Sequence, residues 1–119
     1  MPWELNSTEP IYTQIINRLQ MDIVSGNYQP GEKLPSVREI AAEASVNPNT
    51  MQKAFAELER IGLVYTQRTN GRFITEDKDL ILAQKRALAE KETKEYLTSM
   101  QHLGYDKTGV IEFISDITD

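Results

Sequence analysis

The stretch ASVNPNTMQKAFAELERIGL, residues 44–63, decides the fold. At 100° per residue, Met51, Ala54, Phe55, Leu58 and Ile61 gather on one side of a helix, while Asn49, Thr50, Gln52, Lys53 and Ala56 occupy the other. One face packs and the other looks outward. That outward face holds no carboxylate until Glu57 and is rich in amide and hydroxyl groups. It is either an ordinary solvated surface or a surface built to meet hydrogen-bonding edges. Asn47 can cap the free N–H groups of this helix, with Pro48 at the first helical position, where a missing donor costs nothing.

Working outward, only the pair SV separates this helix from a shorter one. Ser36 and Glu39 form an S-x-x-E capping box ahead of Val37, Ile40, Ala41 and Ala44, which share one face. A short helix, a tight connection and a longer amphipathic helix describe a helix-turn-helix. After Gly62, the β-branched and aromatic runs LVYTQ and RFIT are joined by RTNG, whose Asn70-Gly71 is the strongest short-range hairpin signal in the chain. A hairpin placed there makes a wing. Upstream, a helix is expected from about Pro10 to Ser25, with Thr8 or Ser7 as cap and Tyr12, Ile15, Ile16, Leu19 and Ile23 at helical spacing. NYQPGEKLP then reads as a turn with a brief extended piece at Lys33-Leu34.

Beyond the polar seam EDKD, residues 76–79, a helix is expected over about Leu80 to Leu103, with Arg86/Glu90, Glu90/Lys94 and Lys91/Glu95 as i,i+4 pairs. A last helix after Asp106 or Thr108 carries Val110, Phe113, Ile114 and Ile117 as an apolar stripe, and Tyr96, Leu97, Met100 and Leu103 offer a partner face. Two helices of this length bury too little core alone, so these eight residues are expected to form a dimer interface. The architecture is therefore mostly α with a small β-hairpin wing: a winged helix-turn-helix over residues 1–76 and a two-helix dimerisation segment over 77–119.

Bulk properties narrow the function. The chain has 119 residues, 39% hydrophobic and 26% charged, a formal net charge of −5 and no cysteine. A disulfide framework and a thiolate zinc site are excluded. No apolar run reaches bilayer length and the N-terminus lacks a signal pattern, so the expected compartment is the cytoplasm, without a membrane partner. There is one histidine and no Gly-rich phosphate loop, so nucleophile triads and multi-histidine metal sites lack their parts. No enzyme, metal or cofactor is expected. Between Lys33 and Arg72 six basic residues face four acidic ones, a local charge of +2 within an acidic chain.

A winged helix-turn-helix gives the polar face a use. A helix fits the DNA major groove, where Asn and Gln suit adenine edges and Thr reaches edges or phosphate. Asn47, Asn49, Thr50, Gln52 and Lys53 sit where this requires. Ser36 and Arg38 can hold phosphates, and Arg68 and Arg72, flanking the wing tip, can reach a minor groove or backbone. The rival reading is a winged-helix protein-docking module without DNA specificity, weakly equipped for phosphate.

The segment GNYQPGEKLPSVREIAAEASVNPNTMQKAFAELERIGLVYTQRTNGRFI, residues 26–74, resembles the winged-helix domain of the GntR family of bacterial transcription regulators. The short tail, including HLGYDKTGVIEFI, resembles the YtrA-like subfamily, whose members lack a large effector domain and dimerise through these helices. The resemblance implies a repressor bound as a homodimer to a double-stranded DNA operator, often that of an operon encoding an ABC transporter and its own regulator. It places DNA contacts on Arg38, Asn47, Pro48, Asn49, Thr50 and Gln52 and the wing-tip glycine on Gly71. The chain departs from the pattern at Pro48 and Gln52, often basic in the family. It departs again at Thr69, the usual first wing glycine, and at Arg72, where a small hydroxyl residue is common. A more charged wing contact is expected. No ligand motif points to an effector.

Overall fold

The computed structural model describes residues 3–117. The chain order is α1 (Ile11–Val24), α2 (Val37–Ala44), α3 (Pro48–Arg60), β1 (Val64–Gln67), β2 (Gly71–Ile74), α4 (Lys78–His102) and α5 (Lys107–Asp116). It falls into two compact units, Met1–Lys85 and Arg86–Asp119. The fold class is the expected one: a mostly α winged helix-turn-helix followed by two C-terminal helices.

In the first unit α1 and α2 both pack on α3. Each supplies the apolar face its sequence spacing defines: Ile15, Leu19 and Ile23 from α1, Ile40, Ala41 and Ala44 from α2, and Met51, Ala54, Phe55 and Leu58 from α3. Leu34, Leu63, Val64 and Ile74 close the core from the sheet side, and Leu80 and Ile81 at the start of α4 pack against it. Phe55 is fully buried among these side chains. Truncating such a phenylalanine to alanine typically costs about 3–5 kcal/mol.

Local chemistry sets the ends of α2 and α3. Ser36 Oγ accepts from the Glu39 N–H at 3.1 Å and the Glu39 carboxylate accepts from the Ser36 N–H, the reciprocal box expected. Ser45 closes α2 in the left-handed region at φ 58, donating its N–H to Ala41 and Ala42, and Val46 donates to Ala41 at 3.0 Å. The joint to α3 is thus two residues long and bonded back onto α2.

Three expectations are corrected and one is extended. The first helix has no Ser7 or Thr8 cap: Pro10 stands at the N-cap in extended conformation, and Thr8 Oγ1 donates to Asn6 Oδ1 at 2.6 Å. A residue before proline is pushed out of the helical region, so the helix cannot begin earlier. The Gln14 side chain instead ties the lead-in down, donating to the carbonyls of Asn6 and Glu9. The hairpin tip is longer than an Asn-Gly turn: Gly71 already pairs with Gln67 in an antiparallel ladder, and Gly71 alone at the tip carries positive φ, at +101°. The extended piece before Pro35 joins this sheet, with Lys33 bridging Phe73 and Leu34 donating to the Arg72 carbonyl at 2.9 Å. Finally, α4 starts two residues early, because Asp77 Oδ1 accepts the Leu80 N–H at 3.0 Å and draws Lys78 and Asp79 into the first turn.

In the second unit Asp106 caps α5, accepting from the Gly109 N–H at 2.8 Å. Of the three expected ion pairs on α4, only Arg86–Glu90 forms among the described residues, at 3.3 Å. All three lie on an exposed surface, where ordering two long side chains offsets most of the Coulomb gain.

Candidate nucleic-acid interface

The polar face of α3 divides by what its side chains already do. Asn47 Oδ1 accepts the Asn49 N–H at 2.7 Å, so Asn47 caps the helix, with Pro48 behind it. The side chains of Asn49, Gln52 and Lys53 are exposed, and among the described residues they make no hydrogen bond or ion pair. Thr50 is half-buried beside them, lining a shallow groove of ≈ 560 Å³ with Tyr12, Lys53, Ala56, Glu57 and Arg60. A row of amide donors and acceptors with no partner inside the protein is chemically ready for base edges.

A second concavity of ≈ 680 Å³ runs between the start of α2 and the wing, lined by Lys33, Leu34, Pro35, Ser36, Val37, Glu39 and Thr69 to Arg72. Arg38 is exposed on the first turn of α2, and Arg68 is exposed on the hairpin loop. Neither holds an ion pair among the described residues. Gly71 is exposed at the wing tip, where Lys33 lies so close that its Cε is 3.3 Å from where a Cβ on Gly71 would stand.

Arg72 is placed differently from Arg68. Its Nε donates to Glu59 Oε1 at 2.9 Å, and its guanidinium carbon lies 5.5 Å from the Phe55 ring centroid. This guanidinium is partly buried and engaged with α3, so it adds no free charge to the wing tip. The same Glu59 oxygen accepts from Thr66 Oγ1 at 2.6 Å. Burial pushes the Glu59 carboxyl upward, but the hydrogen bonds from Thr66 and Arg72 and the Arg72 charge outweigh it and hold the group below its ordinary value. Glu57 is likewise held low, chiefly by its hydrogen bond from Arg60, and the same bond raises Arg60. The six cations between residues 33 and 72 therefore separate into two neutralised ones, Arg60 and Arg72, and four free of ion pairs: Lys33, Arg38, Lys53 and Arg68.

Three residues that the sequence pattern did not single out belong to this surface: Lys33 beside the wing tip, Tyr12 beside Thr50, and Glu59 beneath the wing. A basic residue immediately before LPS was the available signal for Lys33. For Glu59 there was none, because its partners stand 7 and 13 residues away in other elements.

The tail residues take two roles. Met100 and Val110 are buried within the second unit, and Leu97 is half-buried. Tyr96, Leu103, Phe113, Ile114 and Ile117 are exposed, from 39% at Tyr96 to 73% at Leu103, as is Ile111, which lies off the predicted stripe. Tyr105 meets Phe113 edge-on at 5.7 Å. None of the described helices is long and apolar enough to cross a membrane.

The sequence pattern of bacterial regulatory proteins of the gntR family matches residues 11–74, the segment that holds the helix-turn-helix and wing. The chain belongs to the GntR family. Members of this family are DNA-binding transcriptional regulators rather than enzymes. Outside the matched segment the likeness continues: the GntR-family chain is 36% identical over 113 residues to the HTH-type transcriptional repressor YtrA of Bacillus subtilis, covering 94% of this chain and 87% of that one. A GntR family transcriptional regulator from Listeria monocytogenes superposes with a TM-score of 0.89 at 38% identity, covering 96% of this chain and 100% of the other. The DNA-binding domain of AraR in complex with operator ORE1 superposes with a TM-score of 0.55 at 27% identity, over 63% of this chain and 94% of that one.

Proposed function

We propose that this GntR-family regulator is a cytoplasmic repressor that binds a roughly palindromic operator as a homodimer. The observation that carries the reading is the row Asn49, Gln52 and Lys53, exposed at the N-terminal end of α3 and unused within the protein. Inserted in a major groove, Asn49 and Gln52 read base edges, Thr50 supports them, and Lys53 takes a phosphate. Asn47 and Pro48 set the start of the helix, which presents free N–H groups and a positive dipole end to the backbone. Ser36 and Arg38 anchor α2 to phosphate, with Lys33 beside them, while Arg68 and Gly71 bring the wing to the neighbouring groove. Arg72 serves the same surface from behind.

Residues 1–76 read the DNA and residues 77–119 pair two copies. The exposed Tyr96, Leu103, Phe113, Ile114 and Ile117, continuous in sequence with the buried Met100 and Val110 and the half-buried Leu97, support a self-complementary apolar interface. Pairing places two copies of α3 in successive major grooves, about 34–36 Å apart.

Fluorescence anisotropy of the full chain against the DNA upstream of its own gene, with a scrambled duplex beside it, tests this. The expected result is preference for the upstream fragment and an affinity falling by orders of magnitude across a fourfold rise in salt, as phosphate contacts require. Salt-insensitive binding, or equal binding to both duplexes, would defeat the operator reading.

A further inference from the structure

We propose that Glu59 is the positioning residue of the wing: from the last turn of α3 its carboxylate fixes the angle of the hairpin to the recognition helix, so that Arg68 meets DNA in register with Asn49. Thr66 and Arg72 face each other directly across the β1–β2 ladder. Both donate to one oxygen of Glu59, at 2.6 and 2.9 Å, so a single helical side chain grips both strands. The Arg72 guanidinium also rests over the ring of the buried Phe55, which anchors the grip in the core. The two-stranded ladder has only four residue pairs; residues 31–34 bond to β2 and the core holds Val64 and Ile74, and the Glu59 link adds a tie from α3 to both strands at once, which sets the tilt between them. The charge of Arg72 is spent on this link, and Arg68 is left as the free cation of the wing loop.

The DNA half of this inference rests on the operator reading above; the orientation half does not. Both are testable on the full chain. Residual dipolar couplings of the DNA-free protein report the orientation of residues 64–74 relative to 48–60. Glu59→Ala is expected to rotate or loosen the hairpin, Glu59→Gln to do so partially because it keeps an acceptor for Thr66, and Glu57→Ala to leave the hairpin unmoved, since among the described residues Glu57 pairs with Arg60 alone. A hairpin that keeps its orientation in Glu59→Ala overturns the proposal whatever the DNA shows.

Binding to the upstream and scrambled duplexes supplies the second arm. Glu59→Ala should weaken binding about tenfold or less and make the slope of log affinity against log salt shallower by about one, the mark of one lost phosphate contact. Arg68→Ala should then cost nothing further in the Glu59→Ala background, whereas Arg38→Ala should cost as much there as in the wild type. Full additivity of Glu59→Ala and Arg68→Ala would overturn the link to DNA. Failure of the wild type to bind either duplex would overturn the operator reading and this DNA half with it, and the couplings would still decide the orientation half.

Discussion

Arg38 and Asn49 stand on adjacent helices and do different work on the proposed operator. Arg38, on the first turn of α2, is exposed and holds no ion pair among the described residues, and the proposed docking sets it against phosphate. Asn49 is a free amide on the first turn of α3, suited to two hydrogen bonds with one adenine. Arg38→Ala and Lys33→Ala should each weaken binding about equally on every sequence and reduce the salt slope by about one, while Asn49→Ala should relax discrimination at one base position. Anisotropy titrations against a panel of single-substituted operators separate the two patterns, and indistinguishable profiles would refute the division. The roles of Arg68 and Arg72 were not separable from the sequence, where both read as cations flanking a turn. The difference comes from Glu59, 13 residues before Arg72 and in another element, and no periodicity records such a pairing.

At the scale of elements, legibility followed the range of the interaction. The Ser36–Glu39 box and the Asn47–Pro48 start act within three residues and were readable, as was the Asp106 cap as one of two candidates beside Thr108. The start of α1 was not, because Pro10 takes the cap position while Thr8 spends its hydroxyl on Asn6. The apolar faces of α1, α2 and α3 were legible because burial imposes a 3.6-residue period, whereas the pairing of Lys33 with Phe73 depends on where the chain returns in space. The link from α3 to the wing carries its own pH signature. Because Glu59 is held below its ordinary value in the fold, its contribution is complete above the unfolded-state value near 4.5 and is lost as pH falls through the lower folded value. The stability difference between wild type and Glu59→Gln should be about 1 kcal/mol or less near neutrality, since the pair is part-exposed, and should close on acidification. Thermal unfolding of both proteins across pH 3 to 7 measures it, and a gap that widens in acid would contradict the assignment.

For the whole molecule, the proposed separation of reading from pairing predicts what truncation does. Leu80 and Ile81 pack on the core of the first unit, so a chain ending after Lys85 keeps that core, whereas one ending after Glu76 strips it. The longer truncation product should be a folded monomer by sedimentation, with operator affinity reduced by orders of magnitude through loss of the linked second site. Undiminished affinity would remove the tail from recognition. The −5 net charge, which by itself argues against nucleic acid, is not spread evenly: residues 33–72 carry +2, and among the described residues Lys33, Arg38, Lys53 and Arg68 of that segment hold no ion pair. The joint at Ser45 and Val46 bears on control. Its two N–H groups are bonded back to α2 and Val46 packs on the core, so it has no slack to take up. In the proposed dimer, a signal that releases the regulator from DNA is therefore expected to act on the distance between copies rather than on the hinge between the two helices, as one loosens a pair of pliers at the pivot and leaves the jaws intact.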